Sequence, residues 1–178
     1  YIAAYGGLRY FQFNPDESVI NEPVIWSKGR QETLVRNLLL LYTGDTHETG
    51  RILQEQKEKT KQPDKMTSLR KMRDMAIALK DQLNNDATAD AIGETLHRGW
   101  QLKKALASGI SSDKIDGYYE KALEAGARGG KVLGAGGGGF LLLYCPESRQ
   151  AQVRQALGDL PALEFSFEPE GSKVIYVT

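Results

Sequence analysis

The chain has 178 residues, 40% hydrophobic and 26% charged, with Lys+Arg and Asp+Glu both at 23. A formal net charge of zero excludes a nucleic-acid scaffold built on bulk positive charge, although a local basic patch is compatible with it. No apolar run reaches the length of a membrane span, and the single Cys145 sits in an apolar stretch, so a cytoplasmic protein with neither nucleic acid nor membrane as partner is expected.

Tyr1-Ile2-Ala3-Ala4-Tyr5-Gly6-Gly7 reads as the last turns of a helix ended by glycine. A helix does not normally begin with its own end, so the chain is expected to be the C-terminal part of something longer. Residues 8–13 are rich in aromatics and suit a strand, and Asn14-Pro15-Asp16 is a turn signal. Residues 18–26 suggest a second strand, interrupted at Pro23. A third strand is expected over 34–42, where Leu38-Leu39-Leu40-Leu41 implies burial on both faces.

Thr43-Gly44-Asp45-Thr46-His47-Glu48 follows. Asp45 with Glu48 three residues on forms a capping-box pattern for a helix to about Thr60. A strand that runs into a helix N-terminus is a usual place for ligand contacts, and a plain connection has the same signature. Pro63 and Asp64 open a second helix, with Met66, Leu69, Met72, Ala76, Leu79 and Leu83 spaced three and four apart. Asn84-Asn85-Asp86 ends it. A third helix is expected over 87–107, with Ile92, Leu96, Gly99, Leu106 and Ala107 as its apolar stripe. Lys103 falls in the middle of that stripe. It either snorkels to water or aims its amine at an anionic ligand.

Ser108-Gly109-Ile110 is a break, and Ser111 or Ser112 caps a fourth helix that ends at Gly126. Residues 140–145 read as a strand, and Pro146 opens a helix to about Leu157. Two last strands are expected over 163–167 and 173–177, joined by a turn at Pro169-Glu170-Gly171. The fold class is therefore α+β: an antiparallel sheet of about four strands (34–42, 140–145, 163–167 and 173–177) packed against helices.

The densest signal lies between the fourth helix and the strand at 140–145. Seven of the eleven residues from Gly129 to Gly139 are glycine, and five of the six from Gly134 to Gly139. Glycine loses more entropy on folding than any other residue, so a run inside apolar sequence needs a reason. Left-handed backbone is one reason. Close approach of an anion to bare N–H groups is the other. A hairpin needs only one or two glycines. The run is not a Walker loop, because no Gly-Lys-Ser or Gly-Lys-Thr follows it.

Gly134-Ala135-Gly136-Gly137-Gly138-Gly139-Phe140 resembles the third, C-terminal motif of the GHMP kinases. The stretches 1–7, 40–44, 96–111 and 129–140 together resemble the D-glycero-D-manno-heptose 7-phosphate kinase branch, and fucokinases share parts of the pattern. His97-x-x-Trp100-x-Leu102-Lys103-Lys104, with Ser108-Gly109-Ile110-Ser111 after it, is the more specific pointer. The resemblance implies a ferredoxin-like GHMP C-terminal domain over 31–178, preceded at 1–30 by the end of the N-terminal domain. It implies transfer of the γ-phosphoryl of MgATP to a sugar hydroxyl, for this branch the anomeric hydroxyl of a heptose 7-phosphate. Gly134, Gly136, Gly137, Gly138 and Gly139 are then expected at the ATP phosphates. Lys103, Tyr5, Gly6 and Thr43 are expected at the sugar substrate, with Lys103 at its phosphate.

The same resemblance puts the catalytic Asp of an Asp-Gln-Tyr pattern two positions before Tyr1, and the phosphate loop and Mg²⁺ ligands in the N-terminal domain. No metal ligand and no catalytic side chain is thus expected within these residues, and the chain alone is expected to be inactive. His47 stands where the pattern Thr-Gly-x-x-Arg has Arg, so no role carries over to it. A homodimer is compatible with the apolar surface expected at a domain junction. The rival class is a non-catalytic ferredoxin-like ligand-binding or dimerisation module, which needs neither an anion-binding loop nor a lysine on an apolar helix face.

Overall fold

The structure, a computed structural model, describes residues 1–44, 49–85, 88 and 90–176. Asp45, His47 and Glu48, and with them the capping box, lie outside the described residues. A short helix α1 (Ile2–Tyr5) precedes an antiparallel ribbon of β1 (Arg9–Phe13) and β2 (Val19–Pro23), paired from Arg9 opposite Pro23 to Phe13 opposite Val19. The helices α2 (Lys28–Arg36), α3 (Thr49–Lys59), α4 (Pro63–Asn84), α5 (Asp90–Lys104), α6 (Asp113–Glu124) and α7 (Gln150–Ala156) surround a second sheet. That sheet contains β3 (Leu38–Tyr42), β4 (Gly129–Val132) and β5 (Phe140–Tyr144) in the order β3-β5-β4, all antiparallel. The α+β class, with an antiparallel sheet against helices, is the one the sequence implies.

Alternation along the strands sets the core. Leu39 and Leu41 pair with Leu143 and Leu141, and Val132 pairs with Leu141, so all five share one face. They are buried there together with Trp100, Ile110, Ile115 and Tyr119. Each fully buried side chain of this kind stabilises the fold by about 1.5–3 kcal/mol. Leu38 and Leu40 on the other face are only half-buried, so the four-leucine run is not covered on both sides. A second cluster joins Trp26, Leu34, Leu83 and Tyr144 near the ribbon, with the Trp26 indole donating to the Leu83 carbonyl at 2.9 Å.

The strand assignments need correcting in three places. Residues 34–36 belong to a helix, because the Ser27 hydroxyl caps α2 and turns Leu34 into the core. Gly129–Val132, read as part of a loop, is a strand. Its glycines serve close packing, since a Cβ on Gly129 would lie 2.0 Å from the Gly93 carbonyl of α5, and one on Gly130 would lie 2.3 Å from the Leu142 carbonyl. The strands expected over 163–167 and 173–177 do not form among the described residues. Chain pairing there stops at Ala162, which bridges Leu41, and at the Leu163 amide, which donates to the Leu40 carbonyl at 2.9 Å. Val174, Ile175 and Tyr176 are 80%, 88% and 78% exposed, so apolar sequence there has no surface to pair with. The last helix begins as a 3₁₀ turn (Glu147–Arg149) before α7. Among the described residues no helix is long and apolar enough to cross a membrane.

One carboxylate ties the α3 helix to the break after α5. Glu55 Oε1 accepts from the Ser108 amide at 3.0 Å, the Ser108 hydroxyl at 2.8 Å and the Lys59 amine at 2.5 Å. These bonds, Lys59 first and then Ser108, lower the Glu55 pKa from 4.5 to about 2. A depressed carboxylate stabilises the fold above its unfolded value and loses that contribution as pH falls through its folded value. The parent chain is therefore expected to lose thermal midpoint between pH 4.5 and about 2, and Glu55→Gln to flatten that loss. Parallel melting curves for both proteins across that window would rule out a contribution from this network.

The Gly93–Gly129 crossing gives a second test. Gly129→Ala forces the α5 and β4 backbones apart and is expected to cost about 1–3 kcal/mol in urea unfolding. Gly117, inside α6 with nothing within 4 Å of an added Cβ, is the contrast. Gly117→Ala should stabilise by about 0.5–1 kcal/mol through helix propensity. Equal effects of the two substitutions would mean that the crossing is not close-packed in solution.

Candidate functional site

The glycine loop connects β4 to β5 and is held from three sides. Gly134, Gly136, Gly137, Gly138 and Gly139 have φ of 70°, 107°, 80°, 158° and 84°. Side chains rarely adopt such backbone, which accounts for the composition of the run. On one side the Ile110 carbonyl accepts from the Gly137 amide at 2.8 Å, and a Cβ on Gly136 would lie 2.6 Å from that same carbonyl. On the second, Thr43 donates through its amide at 2.9 Å and its hydroxyl at 3.0 Å to the Gly139 carbonyl. On the third, the Lys103 amine donates to the Gly134 carbonyl at 2.6 Å. The amides of Gly136 and Gly138 have no hydrogen-bond partner among the described residues. The loop is thus a fixed frame with donors to spare, the arrangement that binds anions.

The supports are themselves anchored. Ile110 is fully buried, and the Ser112 hydroxyl after it caps α6 by accepting from the Ile115 amide at 3.3 Å. Asp116 in the first turn of α6 accepts from Lys104 at 2.9 Å and from the Ser111 hydroxyl at 2.9 Å. Lys104 therefore holds α5 to α6, and Lys103, one residue earlier, reaches the glycine loop. Burial lowers the Lys103 pKa to about 8, with the nearby Lys131 charge adding to the effect. Burial also lowers the pKa of Lys131. One half-buried amine is thus bonded to the glycine loop, and a second acts on it from β4.

Of the residues singled out in the sequence, Lys103, Thr43 and the five loop glycines come together. Tyr5 and Gly6 do not join them. The Tyr5 ring lies under the Arg9 guanidinium at 5.3 Å and beside Phe11. Gly6 packs on the 168–171 turn, where a Cβ would lie 2.4 Å from the Gly171 amide. Ile110 and Lys131 were not legible as site residues. Ile110 acts through a main-chain oxygen, which no side-chain pattern reports. Lys131 carries a readable signal: one residue before the buried Val132 in a strand, it must point to the opposite face.

A separate groove of about 680 Å³ opens between α4 and α5, lined among others by Lys71, Met75, Leu79, His97 and Leu102. Its walls are regular helix with no left-handed backbone, and it does not include the glycine loop. His97 is engaged there by the Tyr119 hydroxyl at 3.0 Å. Among the described residues no group of three His, Cys, Asp or Glu side chains could hold a metal ion.

The GHMP kinases C terminal model matches residues 82–162. The chain is 27% identical over 175 residues to the D-glycero-alpha-D-manno-heptose 7-phosphate kinase of Campylobacter jejuni, across 97% of this chain and 51% of that protein. A crystal structure of a candidate sugar kinase from Campylobacter jejuni superposes with a TM-score of 0.67 at 26% identity, covering 96% of this chain and 48% of that one. That of a D-glycero-D-manno-heptose 1-phosphate kinase from Bacteroides thetaiotaomicron gives 0.59 at 24% identity, over 99% of this chain and 48% of the other, a likeness that bears on fold alone. The chain spans about half the length of the relatives it matches. The glycine loop and both of its lysines fall inside the segment matched by the family model. Residues 82–162 are thus similar to the C-terminal part of the GHMP kinases.

Proposed function

We propose that the chain is one wall of the cleft of an ATP-dependent sugar kinase, with the anomeric hydroxyl of D-glycero-D-manno-heptose 7-phosphate as acceptor. The product would feed nucleotide-activated heptose for surface glycans, in the cytoplasm. The observation that carries this reading is the clamped glycine loop, with open amides at Gly136 and Gly138 and the half-buried Lys103 amine beside it. Similarity along nearly the whole chain to a heptose 7-phosphate kinase supports the choice of sugar.

In such a reaction the acceptor oxygen bonds to the γ-phosphorus, the bond to the β–γ bridging oxygen breaks, and ADP leaves. The acceptor proton passes to a base outside these residues. The loop's part is to hold phosphate oxygens through backbone N–H groups, which need no reorganisation as charge shifts. Lys103 supplies a point charge for the sugar phosphate, and Thr43 fixes the C-terminal side of the loop. A coupled ADP-release assay on the full-length protein, with heptose 7-phosphate, fucose, galactose and mevalonate as acceptors, tests the reading. Turnover with another member of the panel alone would move the chain to a fucokinase, galactokinase or mevalonate kinase activity. No turnover with any would favour a ligand-binding module.

Two substitutions in the full-length protein probe the parts separately. Gly137→Val puts a β-branched residue at φ 80° and disturbs the Ile110 clamp. It is expected to lower kcat/KM for ATP at least about tenfold, about 1.4 kcal/mol. Unchanged kinetics in a folded variant would reduce the loop to a hairpin. Lys103→Met is expected to raise the sugar KM by about tenfold or more, as for loss of a charged hydrogen bond, with the ATP KM nearly unchanged. Lys104→Met breaks the pair with Asp116 and should instead lower the melting temperature. If the two lysine variants behave alike, Lys103 has no special place in the cleft.

A further inference from the structure

We infer that the turn at residues 168–172 is a clasp on the N-terminal helix, and that opening it releases α1 and the residues just after it as one unit. The starting point is what α1 lacks. It is a single turn of four residues, all of them exposed, with no side-chain cap at its start. A helix this short does not keep its shape in water through its own bonds, because the first turn fixes several dihedrals for one hydrogen bond. Its last carbonyls also have no partner within the helix.

The C-terminal segment supplies what is missing. The Ser172 amide donates to the Ala4 carbonyl at 3.1 Å, and the Ser172 hydroxyl donates to the Ala3 carbonyl at 3.2 Å. In the other direction the Gly7 amide donates to the Glu168 carbonyl at 2.7 Å. Between these bonds the two segments cross at glycines. Gly6 and Gly171 have φ of 64° and 68°, and a Cβ on Gly171 would lie 2.6 Å from both the Ala4 carbonyl oxygen and the Gly6 amide nitrogen. Backbone meets backbone here, between segments from opposite ends of the sequence.

The turn is tied to the body of the protein independently of the helix it holds. Phe167 packs against Trp26, Leu34 of α2, Leu83 of α4 and Tyr144 of β5. Glu168 Oε1 accepts from the Glu170 amide at 2.8 Å, which shapes the turn from within. On the far side the Gly6 carbonyl accepts from the Arg9 guanidinium at 2.8 Å, and that guanidinium lies over the Tyr5 ring. Closure thus passes from the core through Phe167 to the turn, then to Gly6 and the first residue of β1. Beyond Lys173 the chain adds nothing to it, since Val174, Ile175 and Tyr176 are exposed. A few exposed hydrogen bonds with no buried side chain in α1 define a unit that opens well below the free energy of the core. None of this rests on the kinase reading.

The test is amide hydrogen exchange of the full-length protein, followed by mass spectrometry on the peptide 1–8 and on 140–145 as reference. Gly171→Ala drives a Cβ into the Ala4 carbonyl and is expected to speed exchange in 1–8 at least about tenfold while 140–145 stays as in the parent. Gly158→Ala is the control for backbone strain, because Gly158 has φ 67° and nothing within 4 Å of an added Cβ. It should leave 1–8 unchanged. Ending the chain at Phe167 keeps the anchor and removes the clasp, so it should match Gly171→Ala, whereas ending it at Lys173 should match the parent. Should Gly171→Ala not fold, the chain ended at Phe167 decides alone. The proposal is overturned if exchange in 1–8 is unchanged once the clasp is gone, or if Gly158→Ala speeds it equally.

Discussion

A single main-chain contact organises this structure: the Ile110 carbonyl against the glycine loop. It receives the Gly137 amide at 2.8 Å and sits where a Cβ on Gly136 would be. The loop can approach this closely because it carries no side chain at the contact: a Cβ on Gly136 would meet the Ile110 carbonyl at 2.6 Å and the Ile110 Cγ2 at 3.0 Å. Ile110 in turn is held because its own side chain is fully buried and because Ser112 starts α6 two residues later. The loop shape is thus imposed by the core through one carbonyl. Loss of that hydrogen bond would leave the loop glycines with many backbone states to choose from, which is the entropy that glycine carries into every fold.

Around this contact the charges divide by task. Glu55, Asp116 and their lysine partners are paired and hold helices to the segment 108–112. Lys103 and Lys131 are half-buried and receive no carboxylate. Paired surface ions contribute little to stability, but these ones fix the orientation of the segment that carries Ile110. This half-buried pair without a carboxylate partner is where the molecule gives up stability.

Apart from α2, the helices and the glycine loop were legible in the sequence because their signals are local. Periodicity placed α4 and α5, Ser112 and Gly126 bracketed α6, and five glycines in six positions marked the loop. Lys103 stood out as a charge in an apolar stripe, and it does reach the loop. What failed was non-local. β4 contains two glycines and has weak strand propensity, and it forms because α5 and β5 need the space that its missing side chains leave. Conversely, Val174, Ile175 and Tyr176 have strong strand propensity and form no strand, because a ladder needs a partner edge. Tyr5 and Gly6 were drawn to the site by motif likeness alone, and their packing against Arg9, Phe11 and Gly171 serves the ribbon instead.

The Gly93–Gly129 crossing bears on how this part of the structure can move. Helices that pack through long side chains can slide past a neighbour, since the side chains change rotamer and absorb small shifts. At the closest point of this crossing backbone faces backbone, Gly129 against the Gly93 carbonyl, with the Tyr144 ring packed beside Gly93. Shear between α5 and β4 is therefore blocked, and the helix, the strand and the loop that follows travel as one piece. Any opening or closing must bend the chain elsewhere, in the connections that lead into α5 and out of β5. The amides of the loop would then arrive at a ligand, or leave it, with their mutual spacing unchanged.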